Sequence, residues 1–126
     1  MVAIPTYLLK RLYVKGTLCN TEDGFAFQLK NTLGTGHATR IMPITLDGRE
    51  LPVEDSYLRD EEGNETPFTA VSAGKPFTLA VGRVTTIGVR GVSLEPGSHT
   101  VGLGFDVQGI GPLKFEISDT VQGEEG

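Results

Sequence analysis

Apolar and polar side chains alternate along this chain with a period of two, and the alternating runs are short. In "FAFQLKNTL" Phe25, Phe27, Leu29 and Leu33 fall on one face, while Gln28 and Lys30 point the other way. "LYVKGTL" places Leu12, Val14 and Leu18 together, with Gly16 between them. Leu79 and Val81, Ile87 and Val89, then Val101, Leu103, Phe105 and Val107 repeat the pattern, and Leu113, Phe115 and Ile117 continue it. No stretch carries a sustained apolar stripe at helical spacing. Strands are predicted throughout.

Turn residues divide the runs. Asp23-Gly24 and Asp47-Gly48 are hairpin signals, because both residues of such a pair can take positive φ. Pro43 sits inside "TRIMPITL" and marks an edge or bulged strand, since proline cannot donate to a ladder. A strand over Ser56–Arg59, a turn at Gly63-Asn64 and a return strand near Phe68–Val71 follow, and Glu95-Pro96-Gly97 makes a further turn. Roughly eight or nine short strands about ten residues apart predict an all-β fold, an antiparallel two-sheet β-sandwich of immunoglobulin-like or jelly-roll type. One domain over residues 1–121 is expected, with 122–126 as an acidic flexible tail. Phe25, Phe27, Leu29, Leu103, Phe105, Phe115 and Ile117 form the expected core.

Composition narrows the function classes. A chain of 126 residues, 38% hydrophobic and 21% charged, can bury one two-layer core. A formal charge of -5 argues against a nucleic-acid partner, which needs a basic footprint. Lys10, Arg11 and Lys15 read as a solvated strand face. Cys19 is the one cysteine, so no internal disulfide forms, and a half-buried inert thiol is expected. No signal peptide or membrane span is legible, which makes the cytoplasm the expected compartment and excludes a membrane partner.

Candidate chemistry is sparse. His37 and His99 lie in unrelated contexts, and a catalytic zinc needs three protein ligands. Ser98 and His99 are neighbours on a strand and so point to opposite faces, which separates them as nucleophile and base even with Asp106 on the same strand. "DEEGNE", residues 60–65, has its glycine at the fourth position instead of the sixth that a calcium loop requires, so it reads as a solvated hairpin tip. Tyr7, Tyr13 and Tyr57, without any tryptophan, offer little stacking surface for a sugar. "GTG" at 34–36 lacks the context of a phosphate cradle. No catalytic, cofactor-binding or metal-binding residue is assigned, and no cofactor is expected.

One strand face is bare. If Val101, Leu103, Phe105 and Val107 face the core, then Thr100, Gly102, Gly104 and Asp106 face outward. Two glycines on one face weaken a strand and ask for a reason: a bend, a covering aromatic, or the close approach of a partner. Gly88, with Thr86 and Arg90 on its own face, extends the bare patch if the two strands share a sheet. Thr100, Gly102, Gly104, Asp106, Gly88 and Arg90 are therefore the candidate partner interface.

The stretches "TLCNTEDGFAFQLKNTL", "LDGREL", "LEPGSHTV" and "GPLKFEISDTV" together resemble the small, or β, subunit of bacterial C-glycoside deglycosidases and its uncharacterised relatives, over residues 12–121. The resemblance implies a compact β-sandwich paired with a larger TIM-barrel-like subunit that carries the divalent metal and the catalytic groups. No catalytic residue carries over onto this chain. It is then the accessory subunit of a cytoplasmic heteromer. A self-associating β-sandwich of structural role and a stand-alone ligand- or sugar-binding module are the alternatives.

Overall fold

The computed structural model of the protein describes residues 4–122. Its chain opens with a five-residue helix, α1 (Thr6–Lys10), followed by β1 (Cys19–Asn20), β2 (Gly24–Lys30), β3 (Gly36–Ile41), β4 (Thr45–Leu46) and β5 (Arg49–Glu50). Next come β6 (Ser56–Arg59), β7 (Glu65–Pro67), β8 (Phe77–Leu79) and β9 (Val84–Arg90). The two longest strands, β10 (Gly97–Val107) and β11 (Gly111–Val121), form a hairpin in full register. Short 3-10 turns occupy Val53–Asp55 and Phe68–Ala70.

Two antiparallel sheets result, so the fold is the all-β sandwich that the period-two pattern predicts. The first runs β1-β2-β9-β6-β7; the second runs β5-β4-β10-β3-β8, with β11 on the opposite side of β10. Phe25, Phe27, Leu29, Leu103, Phe105, Phe115 and Ile117 are all buried between the sheets, joined by Ile44, Leu58, Ile87 and Val101. Burial of these apolar side chains drives the two layers together. Asp47 (φ 50) and Gly48 (φ 87) form the predicted two-residue turn between β4 and β5.

Several expectations are corrected. The N-terminal basic stretch is not a strand face. Pro5 pre-sets φ at -58 ahead of α1, Lys10 ends that helix, and Lys15 lies in the turn before Gly16 (φ 87). Leu12–Leu18 forms no strand beyond a single bridge of Tyr13 to Leu29, because the positive φ of Gly16 takes the chain off the sheet. The β1–β2 hairpin does turn at residues 21–24, closed by Thr21 N–H on the Gly24 carbonyl, but Gly24 has no positive φ and is the first residue of β2. A β-carbon there would collide with the Val89 carbonyl, so glycine is required by close approach and not by φ. Leu33 (39% exposed) and Val81 (55% exposed) lie in loops outside the core. The return strand is Glu65–Pro67, and Phe68 turns into the core through a 3-10 turn. Cys19 is exposed, because β1 is a two-residue edge strand. The acidic tail from residue 123 onward lies outside the described residues.

The long strand β11 sits at a sheet edge, and the backbone parity there is informative. Met42 N–H donates to the Gly104 carbonyl and Asp47 N–H to the Thr100 carbonyl, so the even-numbered residues of β10 bond toward β3 and β4. Its odd-numbered residues therefore bond β11, whose own even-numbered residues turn their N–H and C=O outward. Pro112, without an N–H, occupies one of these outward positions. The α1 helix packs along β11, and Tyr13 and Gly16 both hydrogen-bond Asp119, so the N-terminal segment shields the edge from pairing with another chain.

Candidate functional site

Pro43 breaks the strand beside β10, and the outer face of β10 takes its shape from that break. The chain pairs with β10 through β3, leaves the ladder at Met42–Ile44, and returns to the same strand as β4. Met42 N–H still donates to the Gly104 carbonyl at 2.9 Å. The side chain of Thr45 lies over Gly102, and that of Met42 over Gly104, where a β-carbon would stand 2.8 Å from the sulfur. The two outward glycines are thus buried, and the reason for their bareness is local: crossing side chains occupy the space.

Beside this cover runs a cleft of about 540 Å³, with Gly102 and Gly104 in its floor and Met42, Pro43 and Thr45 along one wall. Lys10, Arg40 and Lys114 line it together with Glu50 and Glu116. Thr100 and Asp106 lie on the same strand. The Thr100 hydroxyl contacts Ser118 Oγ at 2.9 Å, and Asp106 faces Arg40 at 3.8 Å.

Gly88 and Arg90 do not join this patch. They belong to β9, in the other sheet, so the condition for a shared bare patch is not met. Gly88 is covered by the Tyr57 ring from β6, its cross-strand neighbour. The Arg90 guanidinium stacks 4.2 Å from the centre of that ring, and Arg59 stands at 5.0 Å. Glu65 Oε1 accepts from both arginines, at 2.8 and 2.9 Å, and Asp23 accepts from Arg90 Nε at 3.0 Å. These carboxylates raise the Arg90 pKa further, and the arginines hold Glu65 below its usual range.

The histidines have structural partners. His99 Nε2 donates to the Glu95 carbonyl at 2.6 Å, and Nδ1 lies 2.7 Å from Asp47 Oδ2. Two acceptors on one imidazole favour the doubly protonated ring, so the His99 pKa is raised, first by the Glu95 carbonyl and then by Asp47. The Asp47 pKa is lowered, chiefly by the Thr100 N–H bonded to its Oδ1 at 2.8 Å and then by His99. His37, exposed on β3, contacts Thr78 Oγ1 at 3.0 Å. Ser98 pairs with Thr120 and not with His99, and Asp106 is spoken for by Arg40. Among the described residues no three His, Cys, Asp or Glu side chains gather as metal ligands.

The remaining candidates are also engaged. Asp60 Oδ1 accepts from the Glu62 and Asn64 amides at 3.0 and 2.9 Å, closing the "DEEGNE" turn, while Arg83 bonds Glu61 and Glu62. Tyr13 donates to Asp119 Oδ2 at 2.7 Å and accepts from Leu18 N–H at 3.0 Å. Burial, followed by the Asp119 bond, raises the Tyr13 pKa, and Tyr13 in turn lowers that of Asp119. Tyr57 is buried and Tyr7 exposed on α1, so the three tyrosines form no common platform. The pairs His99–Asp47 and Tyr13–Asp119 are missed by sequence reasoning. Asp47 is legible only as a turn residue, and nothing marks Asp119.

Fold and site together define a small all-β sandwich domain whose distinctive surface is a cleft of mixed charge on its longest-paired strand. The sequence model of the hydroxymethylglutaryl-CoA reductase N-terminal domain matches residues 8–122, and the chain belongs to that family. No curated protein matches the chain. Among the described residues no helix is long and apolar enough to cross a membrane.

Proposed function

We propose that this chain is a non-catalytic β-sandwich subunit of a cytoplasmic metabolic heteromer, one that supports a larger catalytic chain. One observation carries the reading: among the described residues, each titratable group whose proton affinity is clearly displaced is held by an intrachain hydrogen bond. His99, Asp47, Tyr13, Asp119, Glu65, Arg59, Arg90 and Asp60 all serve the fold in this way. Catalytic acids and bases are instead poised toward a cleft where substrate can reach them. The family name, which describes the N-terminal domain of a reductase, also fits a domain that accompanies the rest of an enzyme. The exposed thiol of Cys19 suits a reducing compartment.

In its specific form the partner is a TIM-barrel-like subunit of a C-glycoside-cleaving lyase, as the resemblance implies. The outer face of β10 between Thr100 and Asp106, where Thr45 and Met42 cover Gly102 and Gly104, is with the adjoining cleft the proposed docking surface. Gly88 and Arg90 face the other way and are not part of it. A second reading, self-association through the same face, draws support from the cleft's charges of both signs, Lys10, Arg40 and Lys114 against Glu50 and Glu116.

Co-expression with a TIM-barrel-like reading frame adjacent to this one tests the proposal. A co-eluting complex that cleaves a C-glycoside with added divalent metal, while neither chain does so alone, supports it. Turnover by this chain alone, or a complex unaffected by Lys114→Glu with Arg40→Glu, overturns the non-catalytic role or the docking face respectively. Light scattering that shows a dimer of this chain, dispersed by the same pair, supports the second reading.

A further inference from the structure

Strand register sets out the charges around the cleft on the outer face of β10 in levels. Gly102 pairs with Thr45 on one side and Glu116 on the other, and Thr45 pairs with Glu50. Directly paired residues share a face, so Glu50 and Glu116 flank Gly102 at one level, about 14 Å apart at the backbone across three strand spacings. Two residues along, Gly104 pairs with Lys114, and beyond it Asp106 pairs with Arg40. Each level lies about 7 Å from the next. Among the described residues Glu50, Glu116 and Lys114 make no ion pair, and Arg40, 68% exposed, reaches Asp106 only at 3.8 Å. One end of the cleft is therefore acidic and the other basic. Lys10, also without an ion pair there, lines it from α1.

We infer, resting on the reading that a larger chain docks here, that the cleft takes an extended segment of that chain with one acidic and one basic side chain two residues apart. Spacing sets the separation. In an extended segment residues i and i+2 share a face and stand about 7 Å apart, the same interval that separates Lys114 from Glu116 on β11. Polarity sets the signs: the acid lies over Lys114, with Arg40 beyond it, and the base over Glu116 and Glu50. A segment with two like charges sets one of them against its own sign. Shape sets the form. The α1 helix packs along β11, with Thr6 and Lys10 in that wall, and Met42 and Pro43 stand on the far side of β10. The space between these walls is a slot that follows the strands. Exposed pairs of this kind add little affinity; they fix which segment enters and which way it lies.

The probe is the pentapeptide Thr-Glu-Thr-Lys-Thr, acetylated and amidated, titrated into the full chain and followed by amide NMR. Salt of about 0.1 M screens the net charge of the chain over distances beyond the cleft. Saturable shifts at Gly102, Gly104, Lys114 and Glu116 are expected, with binding about threefold to tenfold tighter than that of Thr-Glu-Thr-Glu-Thr or Thr-Lys-Thr-Lys-Thr. Glu116→Lys makes both β11 levels basic and should reverse the order, so that Thr-Glu-Thr-Glu-Thr binds best. Peptides that bind alike or not at all, or an order of preference unchanged by Glu116→Lys, overturn the inference. Loss of the complex with the larger chain in Lys114→Glu with Arg40→Glu, together with peptides that bind alike, overturns it and leaves the docking face standing. A complex that survives that pair overturns both. A dimer of this chain dispersed by the same pair, with no peptide bound, puts a second copy in the cleft and likewise overturns the inference.

Discussion

The phenol end of Tyr57 covers the backbone of Gly88, its cross-strand partner in the first sheet, and a β-carbon on Gly88 would collide with it. The pair explains a glycine in the middle of a central strand. Gly88→Ala is expected to destabilise the fold by about 1–3 kcal/mol, the usual cost of overpacking. The same change in a Tyr57→Ala background should add little, because the obstacle is gone. Urea unfolding of the four proteins in the cycle measures the coupling, and equal penalties in both backgrounds would falsify the relationship.

The two outward glycines of β10 should respond differently. A β-carbon on Gly104 meets two unbranched, flexible side chains, Met42 at its Sδ (2.8 Å) and Lys114 at its Cγ (3.1 Å), both of which can move aside. On Gly102 it meets the hydroxyl of Thr45, a β-branched side chain with few alternative rotamers. Gly102→Ala is therefore expected to cost about 1–3 kcal/mol and Gly104→Ala under about 1 kcal/mol. Thermal melts of the two variants check the order, and Thr45→Ala should rescue the first.

Stability should vary with pH through His99 and Asp47. The folded pKa of His99 is raised above 6.5, so its contribution is complete below that value and is lost as pH climbs through the folded pKa. The folded pKa of Asp47 is lowered below 3.8, so its contribution is present above 3.8 and is lost as pH falls through the folded pKa. Both are in force between 3.8 and 6.5. Melting temperatures recorded across pH should show His99→Gln flattening the alkaline decline; an unchanged slope would remove His99 as its source.

Tyr13 ties the loop before β1 to β11 with a single hydroxyl that both donates to Asp119 and accepts from Leu18 N–H. Tyr13→Phe strands that amide and one bond of the carboxylate, at an expected cost of about 1–2 kcal/mol. Hydrogen exchange at Leu18 should quicken in the variant. Exchange at the parental rate would show that the amide is held by something else.

Phe105 reports on the core as a whole. It is buried between the sheets from the middle of β10, and Phe105→Ala is expected to cost about 3–5 kcal/mol. A variant that melts within a degree or two of the parent would mean that the two faces of β10 are inverted.

The faces of β2, β9, β10 and β11 are legible in the sequence because a half-buried strand writes its orientation into every second residue. What period two does not record is which strands share a sheet. The apolar runs around Gly88 and Gly102 look alike, yet they lie in opposite layers, and the choice is made by long-range pairing with Tyr57 and Thr45. The helix α1 is also silent, since five residues are too few to show a stripe. Within the site, the bareness of Gly102 and Gly104 is legible but its cause is not. That cause is the break at Pro43, nearly sixty residues away in the chain.

That break also fixes the order in which the second sheet can come into being. β3 with β8, and β4 with β5, are separate pairs that touch β10 at different places, and β11 pairs with β10 alone. Without β10 the sheet has no continuous form. In a chain emerging from the ribosome, β3, β4, β5 and β8 are made first and have no template until residues 97–107 have cleared the exit tunnel. The β10–β11 hairpin, built from neighbouring sequence, closes a loop of only three residues, 108–110. The strands made earlier must then settle on a hairpin made last. Nascent chains halted short of residue 97 are therefore the ones a chaperone should hold longest.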